Sequence, residues 1–229
     1  MKRGKKYIKV SKDLDRNKSY SLQDAIKEVK KVSYSKFVGT LEVHFDIVIP
    51  KDRDPKSIKG ALSLPYSSET KSVTIAAFVP ADKEKEAKDA GADFFGLDSL
   101  IKDVKENKIT FDVAIATPSV MAKIAVLGKE LGPKGLMPNP KNGTVTDDVK
   151  AAILEYKKGK QTFACDASGV IHINAGKLDM EDEKLIENVH AAVSAVEEVL
   201  GKPFNQCIRR IHIAPTMGPS FKIDYKKAE

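Results

Sequence analysis

VTIAAFV, residues Val73–Val79, decides how this chain is read. It is a continuous apolar run, and a strand without a polar face needs cover on both sides, as parallel strands in a layered α/β fold have. Earlier in the chain the pattern differs. In LEVHFDIVI, Leu41, Val43, Phe45, Ile47 and Ile49 alternate with Glu42, His44 and Asp46, so that strand buries one face only. Two kinds of strand imply two kinds of sheet.

Downstream of Val73–Val79, a charged helix over Asp82–Ala90 ends at Gly91, Phe94 and Phe95 form a short strand, and Ser99–Glu106 a short helix. FDVAIA (Phe111–Ala116) is a second buried strand. Pro118 opens a helix whose apolar residues Val120, Ile124, Leu127 and Leu131 recur at helical spacing, and Asp147–Lys158 is an amphipathic helix. Strands alternating with helices give βαβ units and a parallel sheet.

Both flanks of this region read differently from it and like each other. Before it, Ser21 and Asp24 resemble a capping box opening a helix with Leu22, Ala25, Ile26, Val29 and Val32 on one side. Ile58–Leu64 reads as a returning strand. After it come strands at QTFAC and GVIHIN, a helix over Asp182–Leu200 with Leu185, Val189, Val193, Val196 and Leu200 inward, and strands at Arg209–Ala214 and Phe221–Tyr225. The expectation is an α/β chain of two domains. A discontinuous α+β domain is built from residues 1–66 and 160–229, and a parallel-sheet, Rossmann-like α/β domain is inserted over 67–159. Hinges are expected near Pro65–Ser68 and Lys158–Gln161, where two chain crossings permit movement without unfolding.

The charge distribution supports the same division. The 229 residues carry a net charge of +7. Residues 1–18 hold eight lysines and arginines against two aspartates, and residues 202–229 hold six against two acids, so the stretch between is net acidic. If the termini share a domain they make one basic face, which fits a polyanionic partner. Cys165 and Cys207 are the only cysteines and no signal peptide is evident, as expected of a reduced cytoplasmic setting. No apolar run reaches the roughly eighteen residues of a membrane helix, so no membrane partner is expected.

Catalytic and cofactor chemistry finds little footing. The loop GKELGPKGLMPNPKNGTV (Gly128–Val145) is dense in glycine and proline and carries Lys129, Lys134 and Lys141, so it reads as one shaped loop offered to an anion. It is not a phosphate loop: the spacing from Gly128 falls on Pro133 and that from Gly132 on Met137, and no G-x-G-x-x-G follows a strand. His44, His172, His190 and His212 lack metal-ligand spacing, and Cys165 sits on an apolar strand. No cofactor, no metal and no catalytic residue is expected; a small α/β enzyme is the minority reading.

Two short segments carry the chemistry of RNA contact. SKFVGT (Ser35–Thr40) combines an amine, an aromatic ring and hydroxyls ahead of a strand, the mixture that stacks bases and contacts phosphate and ribose in looped RNA. The alternative is that Phe37 staples helix to sheet. APTMGPS (Ala214–Ser220) is either a bare tight turn or a turn offering Thr216 and Met217 beside backbone amides.

At these residues the chain resembles the ribosomal protein L-one family, in its bacterial form. ATPSVMAKIAVLGKELGPKGLMPNPKNGTVT (Ala116–Thr146) looks like that family's signature. KFVGTLEVH (Lys36–His44), GALSLP (Gly60–Pro65), GVIHINAGK (Gly169–Lys177) and TMGPS (Thr216–Ser220) match in order and spacing. The resemblance spans essentially the whole chain. It implies a structural, non-enzymatic protein of the mobile stalk of the large ribosomal subunit, cytoplasmic and ribosome-bound, monomeric when free. The implied partners are large-subunit ribosomal RNA, exit-site tRNA and the messenger RNA of its own operon, whose translation it represses. It also places Lys36, Phe37, Thr40, Glu42, Thr216, Met217 and Gly218 at the family's main RNA-contact positions.

On that basis Phe37 and Met217 are expected to supply apolar contact, Thr40, Thr216 and the Gly218 backbone hydrogen bonds, and Glu42 orientation and rejection of misplaced phosphates. Arg3, Lys5, Lys134 and Lys141 form an expected secondary electrostatic surface. A generic single-strand RNA binder without a ribosomal address is the other alternative.

Overall fold

The computed structural model describes residues 4–12, 14, 18–49, 54–66, 73–106 and 108–225. They fall into two compact units, Met1–Ser68 with Thr162–Glu229, and Glu69–Gln161. In chain order the first unit begins with α1 (Lys5–Ser11), β1 (Ser19–Tyr20), α2 (Leu22–Val32), β2 (Thr40–Ile47) and β3 (Lys59–Ser63). The second unit holds β4 (Ile75–Phe78), α3 (Glu84–Asp89), β5 (Phe94–Gly96), α4 (Asp98–Lys105), β6 (Val113–Ala116), α5 (Met121–Ile124), α6 (Gly128–Leu131) and α7 (Val149–Lys157). The chain then passes through β7 (Lys160–Ala164) and completes the first unit with β8 (Val170–Lys177), α8 (Asp182–Leu200), α9 (Phe204–Cys207), β9 (Ile208–Pro215) and β10 (Phe221–Ile223).

The expected contrast between strands appears in their burial. All four residues of β4 are buried, and β4 lies between β5 and β6 in a parallel sheet. Ala76 and Phe78 join a cluster with Leu100, Val104, Ile124, Leu127 and Leu131 on one side of that sheet. Ile75 and Ala77 join Ala87, Val149, Ile153 and Tyr156 on the other. Both faces are thus covered, and an alternating strand would leave polar groups stranded there.

In the first unit, β2 alternates strictly between half-buried and buried residues. It lies between β8 and β9, antiparallel to both, in a sheet ordered β1-β10-β9-β2-β8. Leu41, Val43, Phe45 and Ile47 pack against Ala25, Ile26 and Val29 of α2 and Leu185, Val189, Val193 and Val196 of α8. Ser21 caps α2 as its sequence suggests, accepting a hydrogen bond from the Asp24 N–H at 3.2 Å. Thr40, Glu42, His44 and Asp46 occupy the opposite face.

The strand expected at Ile58–Leu64 forms as β3 and pairs with β7, both edges of β2 being taken by β8 and β9. One element departs from expectation. The helix from Pro118 is broken into 3-10 turns at Pro118–Val120 and Ala125–Leu127 alternating with α5 and α6. Its four apolar residues are buried nonetheless, since 3-10 and α geometry both return a side chain to the same face after three or four residues. Among the described residues no helix is long and apolar enough to cross a membrane.

Candidate nucleic-acid interface

Two segments from opposite ends of the sequence leave the sheet at one edge. Leu41 at the start of β2 is the cross-strand partner of Pro215 at the end of β9, so the segment entering β2 and the turn leaving β9 emerge together. Their junction is hydrogen-bonded. The Thr216 N–H donates to the Thr40 carbonyl at 3.0 Å, and the Thr40 N–H donates to Thr216 Oγ1 at 2.9 Å. That hydroxyl also reaches the Thr40 carbonyl at 3.3 Å. From the other neighbour, Lys177 lies opposite Thr40 and its Nζ donates to Thr40 Oγ1 at 3.3 Å. The Leu178 N–H donates to the Gly39 carbonyl at 2.9 Å.

Around this junction the apolar side chains face solvent. Phe37 is 58% exposed and Met217 44%. Phe37 therefore does not staple α2 to the sheet; Ser35 Oγ donates to the Phe37 carbonyl at 2.7 Å, and the ring itself is left outside. Lys36, Val38 and Thr216 are exposed too. Gly218 is required by close approach: a Cβ there would lie 2.5 Å from Pro215 Cγ and 3.6 Å from the Val32 carbonyl oxygen. Glu42 sits two residues along β2 on the open face, between Asn174 and Ala214 in the register.

The structure thus gathers Lys36, Phe37, Thr40, Glu42, Thr216, Met217 and Gly218 along one sheet edge and the adjoining strand face. Lys5 is exposed on α1, while Arg3 lies outside the described residues. Lys134 and Lys141 are exposed in the other unit, on the glycine–proline loop. That loop is an ordered structure. Asn139 N donates to Thr144 Oγ1 at 2.7 Å, Tyr156 Oη donates to the Asn142 carbonyl at 2.7 Å, and Gly143 takes φ 68°. Sequence reasoning missed Lys177 and Val38 as neighbours of the junction. Lys177 closes the GVIHINAGK motif, but only the β2–β8 register brings it to Thr40.

The electrostatics of the open face centre on histidine. His44 has His172 of β8 and His212 of β9 as cross-strand neighbours. Burial, and then the nearby His172 and His212, hold the His44 imidazole below its ordinary pKa. Burial followed by Arg210 and Lys222 does the same to His212, against an opposing pull from Asp46. In the turn before β8, backbone N–H groups, Val170 foremost, hold the Asp166 carboxyl below its usual range. Burial pushes the Cys165 and Cys207 thiols up, which opposes nucleophilic chemistry at either. Among the described residues no three His, Cys, Asp or Glu side chains converge on a metal-sized site.

A family model described as the Ribosomal protein L1p/L10e family matches residues 29–219. The chain is 43% identical over 228 residues to "Large ribosomal subunit protein uL1" of Thermosipho africanus, covering 97% of both chains. The proteins of that name from Kosmotoga olearia and Leptospira biflexa are 39% and 40% identical, covering 99% of this chain and 98% and 97% of theirs. The matched region includes both halves of the Thr40–Thr216 junction and the whole glycine–proline loop. The chain belongs to the ribosomal protein L1p/L10e family; it is a ribosomal protein and not an enzyme.

Proposed function

We propose that this protein is a constituent of the large ribosomal subunit that grips ribosomal RNA of the mobile stalk through the sheet edge at Thr40–Thr216. One observation carries the reading. A hydrogen-bonded junction presents two exposed apolar side chains, Phe37 and Met217, beside Lys36 and Lys177. An exposed ring has few rotatable bonds to freeze on binding, and ring and methionine together give bases a surface to pack on. The lysines neutralise phosphate, and Glu42 disfavours a backbone docked across the strand face.

In this reading the first unit is the RNA-binding domain and the second swings with the stalk. Lys134 and Lys141 on the glycine–proline loop then form a secondary surface that helps release exit-site tRNA. A similar RNA fold in the protein's own messenger RNA competes for the Thr40–Thr216 edge and represses translation. Lys5 and the basic N-terminal segment contribute salt-dependent attraction, and removing residues 1–12 flattens the log–log salt slope by about 0.7–0.9 per lost phosphate contact.

Filter binding to structured stalk ribosomal RNA, with an unrelated structured RNA as competitor, tests the reading. Binding that survives excess competitor is the expected result. Equal displacement by both RNAs would reduce the protein to a generic RNA binder.

A further inference from the structure

Thr40, Glu42, His44 and Asp46 share one face of β2, so His44 follows Glu42 on the same open surface. His44 Nδ1 lies 2.7 Å from His172 Nδ1, with the rings edge-on at 71° and their centroids 4.9 Å apart. At that separation one nitrogen carries the hydrogen and the other must be bare, because two facing N–H groups cannot approach so closely. While that hydrogen bond holds, the pair has room for one proton beyond its neutral state and not two.

Both outer ends of the pair face acids. His44 Nε2 is 3.9 Å from Glu42 Oε2, and His172 Nε2 is 3.9 Å from Asp166 Oδ2. Among the described residues, the other charged and titratable neighbours include Asp46 on β2, Arg209, Arg210 and His212 on β9, and Lys222 on β10, with Tyr7 of α1 beside His212. Burial and the neighbouring imidazoles oppose protonation of His44 in the free protein, and Arg210 and Lys222 oppose that of His212. An anion placed over the pair reverses that balance.

We propose that the RNA surface extends along β2 past Glu42 to the His44–His172 pair, and that RNA binding is coupled to the uptake of one proton by this pair. The inference rests on the RNA reading of the Thr40–Thr216 edge. A phosphodiester beside the pair stabilises the imidazolium form, and the imidazolium offsets the repulsion between that phosphate and Glu42. Binding thus raises the pair's affinity for a proton. By reciprocity RNA affinity increases as pH falls through the window in which RNA promotes protonation, and is lowest above it. With one proton the change in Kd is at most about tenfold per pH unit.

Calorimetric titration of the whole protein with stalk ribosomal RNA near pH 6.5, in buffers of differing ionisation enthalpy, counts the protons taken up. A value approaching one is expected, and Kd should weaken between about pH 6 and 8.5. The double variant His44→Gln, His172→Asn removes both imidazoles of the pair, and the His172 side chain is 56% exposed. In this double variant RNA affinity should no longer change between about pH 6 and 8.5, with circular dichroism unchanged. His172→Asn alone keeps the His44 imidazole and should retain a pH dependence, which separates loss of the rings from loss of fold. Binding without proton uptake, or an undiminished pH dependence in the double variant, overturns this inference and leaves the RNA reading standing. Absence of binding at every pH overturns both.

Discussion

Thr40 and Thr216, 176 positions apart in sequence, share hydrogen bonds in both directions, with Thr40 N 2.9 Å from Thr216 Oγ1 and Thr216 N 3.0 Å from the Thr40 carbonyl. The threonine hydroxyl that looks available to RNA is already committed to holding two chain segments together. Its role is positioning, and the free hydrogen-bonding capacity of the edge lies in neighbouring groups.

Replacing Thr216 by valine keeps the shape and removes the acceptor for the Thr40 N–H. The junction is exposed, so water partly compensates and the stability loss should be about 1 kcal/mol. RNA affinity should fall several-fold because Met217 and Gly218 lose their anchor. Urea unfolding alongside filter binding checks both numbers; an affinity drop with no stability change would assign the hydroxyl to direct contact instead.

Met217→Ala separates binding from folding. The side chain is 44% exposed, so its removal should leave thermal stability within about 0.5 kcal/mol of wild type. Loss of one packing contact with a base corresponds to roughly 1–3 kcal/mol, or at least several-fold in Kd. Unchanged affinity under conditions of clear saturation would remove Met217 from the interface.

Asn188 is a structural counterpart. Fully buried on α8, it accepts from the Tyr66 N–H at 3.0 Å and donates to the carbonyls of Tyr66 and Ala175, both at 2.7 Å. Asn188→Leu strands those backbone groups and should cost about 2–4 kcal/mol. Differential scanning calorimetry should then show a melting temperature lower by roughly 5–15 °C, at about 2–4 °C per kcal/mol for a chain of this size.

Tyr156 predicts an alkaline limit to stability. Burial, reinforced by the Glu155 charge, pushes its pKa up to about 12. The folded state then holds this proton more tightly than the unfolded chain, whose tyrosines titrate near 10. The contribution is complete below about pH 10 and is lost as pH rises towards 12. Tyr156→Phe should flatten the decline in stability across that window, at the cost of the hydrogen bond to the Asn142 carbonyl. Equal slopes for the two proteins in chemical denaturation would discard the assignment.

Much of the fold was legible because periodicity is local. The unbroken run at Val73–Val79 and the alternation at Leu41–Ile49 announce a strand covered twice and a strand covered once, and burial follows both patterns. The Ser21 cap, the inward face of α8 and the mixed α/β class were readable for the same reason. The candidate site was legible in part. SKFVGT and TMGPS stood out by composition, but whether Phe37 packed inward was undecidable, since an aromatic ring ahead of a strand serves either purpose.

Register decided the rest. That Lys177 reaches Thr40, that β3 pairs with β7, and that His44 meets His172 depend on which residues of distant strands stand opposite each other. A shift of one residue would turn every one of those side chains to the other face. Local propensity carries no information about that alignment. It is selected by the packing of α2 and α8 against the sheet, where Leu41, Val43 and Phe45 must all be buried together. The amino-acid pattern specified which faces are apolar and where residues of the proposed RNA site concentrate. The packed core specified which residues from the two ends of the chain stand side by side to use it.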